Sequence, residues 1–359
     1  MTESARARSA LSAAPETPRI ERLLELVDAF AGQPVLMLVD LVADRFVTGH
    51  PKRISREAPV LILRWAGEAL APGGGAHAVA NGRALGGRPL PVGCVGDDAD
   101  GRELVAALAA RGVPTDGVVS VPGWSTPAKV RILAGSPTGI KQQVVRYDRE
   151  PDEAAPESAR AALATRLAAR AGQARVAVIS DYGYGAATPE LVPAVRAALG
   201  AEGVLIADSR FRLGDFRGLD GATPNQEEAE ALSGLRLDGS GEALAAGGER
   251  LRATLATAFV LVTRGSRGMS LFGADGAVHV PVHGTDQVAD VTGAGDTVIG
   301  TFALALAAGA TPLEATLLAN YAGGVVVMKT GTATLGRDEL QAAIRSDGRP
   351  VEGLRWARS

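Results

Sequence analysis

The strongest constraint on how this chain folds is a rhythm. Short apolar runs rich in β-branched residues recur along it: "PVLMLVD" (34–40), "PLPVGCVGD" (89–97), "VAVISDYG" (176–183), "GVLIADS" (203–209) and "FVLVTRG" (259–265). Between them lie Ala/Leu-rich segments with helical periodicity, at 99–111, 157–171, 188–200, 241–256 and 312–328. A half-exposed strand alternates apolar and polar residues, whereas these runs are nearly continuous and need cover on both faces. Strands of that kind separated by helices define an α/β fold: a doubly wound, mainly parallel sheet with helices on both faces. Ligands in such sheets bind beyond the carboxyl ends of the strands, so a site is to be sought in the residues that follow each strand.

Two stretches break the rhythm. Residues 41–66 and 117–148 carry strand-like pieces, "APVLILRWA", "AKVRILAG" and "KQQVVRYD", with no helix between neighbours. They predict a small antiparallel β lid inserted into the large domain, with an extension of the main sheet as the alternative. The domain is expected over 19–346, after a disordered tail at 1–18, and residues 347–359 read as a C-terminal tail. A net charge of −3 supplies no global basic field, so neither nucleic acid nor an anionic membrane is an expected partner. No apolar stretch approaches the roughly 20 residues that span a bilayer, and the N-terminus lacks the apolar core of a secretory signal. The expected location is the cytoplasm. Cys94, the single cysteine, excludes an intramolecular disulfide and a cysteine metal cluster, and a buried, inert thiol is its expected role.

Chemistry concentrates in "DVTGAGDTVIGTFALALAAG" (290–309). Asp290 follows a strand-like piece, and Gly293-Ala294-Gly295 turn the chain into an apolar helix starting near Thr297. Backbone N–H groups at a helix N-terminus, reinforced by the helix dipole, make an anion site. A carboxylate there repels the anion, so Asp296 needs a purpose. Beside a phosphate it can accept the proton of an attacking hydroxyl, as a general base.

These residues resemble the signature of the ribokinase-like (PfkB) carbohydrate kinases, and the resemblance extends along the chain in family order. "APGGGAHAVANGRALGG" (71–87) is similar to the family's glycine pair and sugar-side helix, "TPNQEEAE" (223–230) to its Asn-x-x-Glu element, and "LVTRGSRGMSLF" (261–272) to its nucleotide-side strand and turn. "DLVADRFVTGHPKRISREAPV" (40–60) and "SDYGYGA" (180–186) resemble the branch that phosphorylates D-glycero-D-manno-heptose 7-phosphate at its anomeric oxygen. In many bacteria that kinase is fused to an adenylyltransferase domain. The four histidines contain no His-x-Gly-His pair, so this chain is expected to be the kinase half alone.

The resemblance implies ATP and Mg²⁺ as cofactors, K⁺ as a further one, a sugar phosphate as acceptor and a homodimer formed through the lid. It implies an anion hole at Gly293, Ala294, Gly295 and the Asp296 N–H. Asn225 and Glu228, one helical turn apart, face the phosphates and hold Mg²⁺ directly or through water; an ordinary helix cap with a surface glutamate fits the same spacing. Thr263, Gly265, Gly268 and Asp208 lie on the nucleotide side, and Asp290 with Thr292 on the loop of a monovalent cation, with carbonyls expected around 327–334. On the sugar side stand Asp40, Asp44, Arg45, Gly73, Gly74, His77, Arg131, Arg146, Asp148, Asp181 and Tyr184. An arginine on the lid can grip a phosphate through two parallel hydrogen bonds, or be a solvated surface charge. The heptose branch carries asparagine where this chain has His77, lysine where it has Tyr184, and Pro-Lys where it has Ser209-Arg210. An imidazole at 77 is expected to titrate near neutrality and, with Tyr184, to alter acceptor choice; the alternative is that His77 packs in the helix and Tyr184 faces solvent. Another sugar, a sugar phosphate or a nucleoside is the alternative acceptor. A catalytically inactive sugar-binding protein is the remote alternative, disfavoured because a pure binder needs no general base.

Overall fold

The apolar runs form the centre of one large sheet. The structure is a computed structural model that describes residues 18–136, 139, 141–237, 242–274, 276–284, 289–347 and 356–357. Its strands are β1 (Pro34–Val39), β2 (Leu41–Ile54), β3 (Leu61–Gly74), β4 (Arg88–Gly96), β5 (Val118–Val121), β6 (Ala128–Ala134) and β7 (Gln142–Arg149). They continue with β8 (Val176–Asp181), β9 (Val204–Ser209), β10 (Gly221–Ala222), β11 (Phe259–Thr263), β12 (Met269–Gly273), β13 (Gly276–Val280) and β14 (Trp356–Ala357). The ten-stranded sheet has the order β14-β13-β12-β11-β10-β9-β8-β1-β4-β5. Its pairings are parallel from β5 through to β11 and antiparallel from β11 to β14.

Helices cover both faces, as continuous apolar strands require. On one face Phe302, Ile299, Leu318 and Val79 pack with Val35, Met37 and Val178. On the other, Leu163, Val195 and Leu251 pack with Leu36, Ile179 and Val260. Side chains alternate across each strand, so Leu36 and Met37 enter different cores. Cys94 is buried and burial pushes its thiol up to about 12, as expected of an inert one. Among the described residues no helix is long and apolar enough to cross a membrane.

The topology locates the site. The chain moves outward from β1 to β4 and β5, then returns to β8 and moves outward the other way. The crevice therefore opens beyond the ends of β1 and β8, where the direction reverses. β2 leaves β1 directly and starts a second, four-stranded sheet of order β3-β2-β6-β7. This is the lid, with bounds that differ from expectation. β3 runs on to Gly74, β7 ends at Arg149, and residues 118–121, expected in the lid, pair in parallel with β4 in the main sheet. The β2/β3 and β6/β7 pairings are antiparallel and β2/β6 is parallel. An excursion through the main sheet at β4 and β5 separates β2 from β6, so no hairpin constrains their direction. The last helix, Arg337–Ser346, is followed by Trp356–Ala357 pairing with β13, which adds a short strand to the expected tail. The tail expected at 1–18 lies outside the described residues except for Pro18.

Candidate active site

The helix after the glycine turn spans Ala294–Ala307, starting three residues earlier than expected. Gly293 is its N-cap at φ 77°, left-handed backbone that glycine adopts at little cost. A Cβ at Gly293 would lie 2.5 Å from Cδ2 and 2.6 Å from Nε2 of His77, so the position needs glycine for space as well. The first turn of a helix leaves N–H groups without intrahelical acceptors. The Ala294 N–H is turned to the Val291 carbonyl at 3.2 Å, which narrows the expected anion hole to its other members.

Asp296 sits in that first turn with only 6% of its surface exposed. Its Oδ1 accepts a hydrogen bond from the Tyr182 hydroxyl at 2.6 Å. Burial raises the carboxyl to about 7, with Asp44 adding to the rise, while the Tyr182 hydrogen bond and Lys129 oppose it. A carboxyl poised near neutrality in a strand-end crevice is suited to taking a proton.

Two predicted sugar contacts prove to be clamps for their own loops. Asp40 is 1% exposed; Oδ2 accepts from the N–H groups of Tyr182 (2.8 Å) and Tyr184 (3.0 Å), and Oδ1 from those of Ala186 (2.9 Å) and Ala187 (3.1 Å). Four donors would normally depress a carboxyl, yet burial and nearby Asp181 win and hold it at about 6. Asp181 accepts from the Gly183 N–H (2.9 Å), Ser209 Oγ (2.6 Å) and the Arg212 guanidinium (2.9 Å to each oxygen). The hydrogen-bonding capacity of each carboxylate is thus largely taken by its own loops, and Asp181 also borders the polar cavity described below. Arg45 is likewise engaged within the protein. Neighbours along a strand face opposite ways, so Arg45 turns from the crevice to Asp100, Glu103 and Glu68, at 2.6, 2.7 and 2.6 Å.

The other lid residues do converge. Asp44 is 2% exposed and paired with Arg131 at 2.7 Å. The register Asp44↔Lys129, Phe46↔Arg131, Arg131↔Arg146 and Lys129↔Asp148 puts all six on one face. Arg146 donates to both oxygens of Asp148, at 2.7 and 2.6 Å, and holds that carboxyl below its usual range. Lys129 sits with Nζ 4.9 Å from the centre of the Tyr182 ring, and burial lowers its ammonium. Gly73 is explained by Asp44, whose Cγ a Cβ would approach to 2.5 Å, and Gly74 by φ 51° and a 2.8 Å approach to Val42 Cγ2. Tyr184 is directed to the end of the lid, its hydroxyl donating to Glu150 at 2.8 Å. His77 departs from expectation: it is 1% exposed, neither ring nitrogen has a partner, and burial lowers it to about 4, so it stays neutral at neutral pH.

Two cavities meet at Asp296's helix. One, about 380 Å³, is bordered by Tyr182, Asp208, Arg210, Asn225, Glu228 and Gly295. The other, about 670 Å³, is more apolar and bordered by Gly265, Gly268, Val282, His283, Asn320 and Val327. Thr263, Gly295 and Val298 border both, so the two adjoin at the glycine turn. Gly268, at φ 84°, would place a Cβ 2.1 Å from the Val280 carbonyl oxygen. Asn225 is a helix cap: its Oδ1 accepts from the Glu228 N–H at 3.0 Å, and Glu228 Oε2 accepts from the Asn225 N–H at 2.9 Å. The capping alternative is thus met, and the same two side chains still border the polar cavity. Burial raises Glu228, and burial with the charges of Glu228, Asp296 and Asp181 raises Asp208 well above the carboxylate range. Asp208, Glu228 and the Asn225 amide offer hard oxygens, the donor type that Mg²⁺ prefers when it shares phosphate oxygens. Among the described residues no three His, Cys, Asp or Glu side chains are grouped to hold a metal unaided. Asp290 joins two loops, accepting from the N–H groups of Thr292 (2.9 Å) and Gly331 (3.0 Å), while its own N–H donates to the Val327 carbonyl at 3.1 Å.

Three residues that border these sites carry no signal read from the sequence: Tyr182, Lys129 and His283. Tyr182 stands inside "SDYGYGA", where Tyr184 is the departure from relatives; strand alternation from Asp44 and Arg131 points to Lys129.

A lidded, doubly wound sheet with a buried carboxyl beside a glycine turn is the arrangement expected of an enzyme that transfers a phosphoryl group to a hydroxyl. Comparisons give the family. Residues 55–339 match the model of the pfkB family carbohydrate kinase. The Bifunctional protein HldE of Mesorhizobium japonicum is 40% identical over 336 residues, covering 92% of this chain and 66% of its own length. That of Paramagnetospirillum magneticum is 39% identical over 333 residues, covering 91% and 66%. The chain thus spans just under two thirds of these curated relatives. Among solved structures, phosphofructokinase-2 from Escherichia coli in complex with potassium superposes at a TM-score of 0.72 with 21% identity, covering 88% of this chain and 98% of that one. Arabidopsis thaliana ribokinase, complexed with ribose and ATP, superposes at 0.67 with 21% identity, covering 88% and 99%. The chain belongs to the pfkB family of carbohydrate kinases.

Proposed function

We propose that the protein transfers the γ-phosphoryl group of ATP to O1 of D-glycero-D-manno-heptose 7-phosphate, giving the 1,7-bisphosphate, with Asp296 as general base. The observation that carries the reading is the juxtaposition of Asp296, held at about 7, with a lid face bearing Lys129, Arg131 and Arg146. A sugar lying between lid and glycine turn would present its anomeric hydroxyl to Asp296 and its phosphate to those cations. The hydroxyl oxygen bonds to the γ-phosphorus, its proton passes to Asp296, and the bond from phosphorus to the β-phosphate oxygen breaks. N–H groups of the glycine turn stabilise the charge that develops on the transferring group. Bound Mg²⁺, held through Asn225 and Glu228 directly or by water, would neutralise phosphate charge.

Supporting details are of unequal weight. The Asp290–Thr292 loop, tied to 327–331, is where K⁺ would act, and the potassium complex of the phosphofructokinase-2 relative supports it. Exposed Ile54, Leu61, Trp65 and Val144 on the lid support a homodimer formed there. A second reading, a different sugar phosphate as acceptor, is favoured by Tyr184, which brings a hydroxyl paired with Glu150 and no cation to the lid's edge. A coupled ADP-release assay with the heptose 7-phosphate, its unphosphorylated sugar, and hexose and pentose phosphates tests both. Highest kcat/KM on the heptose 7-phosphate upholds the proposal; an inert heptose 7-phosphate beside an active hexose or pentose phosphate overturns it in favour of the second reading.

A further inference from the structure

Tyr182 is held on every side. Its backbone N–H donates to Asp40, itself clamped in the same loop, at 2.8 Å. A Cβ at Gly74 would come within 3.3 Å of Tyr182 Cε2, so the glycine leaves the ring its place. Lys129, from lid strand β6, covers the ring face with Nζ 4.9 Å from the centroid. The hydroxyl at the far end donates to Asp296 Oδ1 at 2.6 Å, within the range of a strong hydrogen bond to an ionised acceptor. Such restraint is more than a buried aromatic needs for packing alone.

We propose that Tyr182 is the positioning residue of the base, its hydroxyl fixing Asp296 through Oδ1 so that Oδ2 is presented to the acceptor hydroxyl. The inference rests on the assignment of Asp296 as general base. A carboxylate alone can rotate about its Cβ–Cγ bond; one oxygen tied to a fixed phenol sets the plane of the other. The hydrogen bond also favours the charged carboxylate, the form that can take a proton. Lys129 couples this arrangement to the lid, since the side chain on the Tyr182 ring comes from a lid strand. The groups that bear on Asp296 are Asp44 from β2, Lys129 from β6 and Tyr182 after β8, and His77 packs beneath Gly293. Tyr182 in turn feels Asp208 and Arg210 from β9 and the loop after it.

The test is the pH dependence of kcat for wild type and Tyr182→Phe, which keeps the ring and removes the donor. Losing a donor to the charged form raises the carboxyl's pKa, so the acidic limb should move to higher pH. From the usual worth of a hydrogen bond to a charged group, the move should be about one to two pH units. At pH 7 kcat should fall on the order of tenfold or more, with KM for both substrates nearly unchanged. Substituting 3-fluorotyrosine at 182 strengthens the donor and should move the limb the other way, which keeps the test open if Tyr182→Phe is unstable. In an Asp296→Asn background, Tyr182→Phe should have little further effect. A merely structural role would lower kcat with no displacement of the limb, and an unmoved limb in both variants overturns the proposal. Near-wild-type turnover by Asp296→Asn would instead overturn the base assignment itself, so the two failures are distinguishable.

Discussion

Replacing Gly293 with alanine perturbs the glycine turn at the atom where the structure is most explicit. The residue sits at φ 77°, and a left-handed conformation costs a non-glycine residue about 1–2 kcal/mol. The added methyl would lie 2.5 Å from His77 Cδ2 and 2.6 Å from Nε2, closer than carbon atoms are found. His77 is 1% exposed and cannot swing away freely, so an overpacking cost of about 1–3 kcal/mol applies. Together the substitution should destabilise by roughly 2–5 kcal/mol. At about 2–4 °C per kcal/mol for a large domain, a fall in Tm on the order of 4–20 °C is expected. The two terms separate in a double-mutant cycle followed by thermal unfolding. His77→Ala removes the imidazole, so Gly293→Ala should cost less in that background by about 1–3 kcal/mol, while the backbone term persists. ATP binding should weaken in Gly293→Ala, because the displaced turn carries the N–H groups of the anion hole. Additive single effects, or an unchanged Tm and ATP affinity in Gly293→Ala, would refute the reasoning.

Three further outcomes follow from the same geometry. Glu228→Gln keeps an acceptor for the cap but removes the charge, so half-maximal activity should require more Mg²⁺, and an unchanged titration would reduce Glu228 to a cap. Folding raises Asp296 to about 7 from the ordinary carboxyl value of 3.8, so the folded state binds the extra proton and stability falls as pH rises between those values. Asp296→Asn should therefore raise Tm at pH 8 and make little difference near pH 4; equal Tm at pH 8 would show that the buried charge is compensated. Tyr184→Lys, which returns a cation beside Asp148 and Glu150, and His77→Asn, which relieves the contact under Gly293, should change the ranking of acceptors in the ADP-release panel. An unchanged ranking would remove both positions from specificity.

Much of this is readable in the sequence. The central strands were legible because burial on both faces leaves continuous apolar runs, and the glycine turn because anion binding at a helix start demands small residues there. Register was not. "VVSV" (118–121) looks like a lid strand locally, yet pairs with β4, and partner choice is not written in four residues. The end of β3 was lost for the opposite reason: "ALAPGG" reads as loop, and only pairing with β2 makes it a strand. Site residues are hardest to read where one chemistry serves two purposes. A carboxylate at a strand end can bind a sugar or tether its own loop, and Asp40 and Asp181 do the second. His77 was expected to titrate near neutrality, but a side chain's burial is set by what packs over it, here Gly293 from 216 residues further along the chain.

The most direct measurement of the central claim is ADP release with the heptose 7-phosphate by wild type and Asp296→Asn, with nucleotide affinity measured alongside. Asparagine keeps the shape beside the glycine turn and cannot accept the proton. Turnover should fall by about 10²–10⁴-fold while ATP still binds. Near-wild-type turnover in the variant would contradict the account.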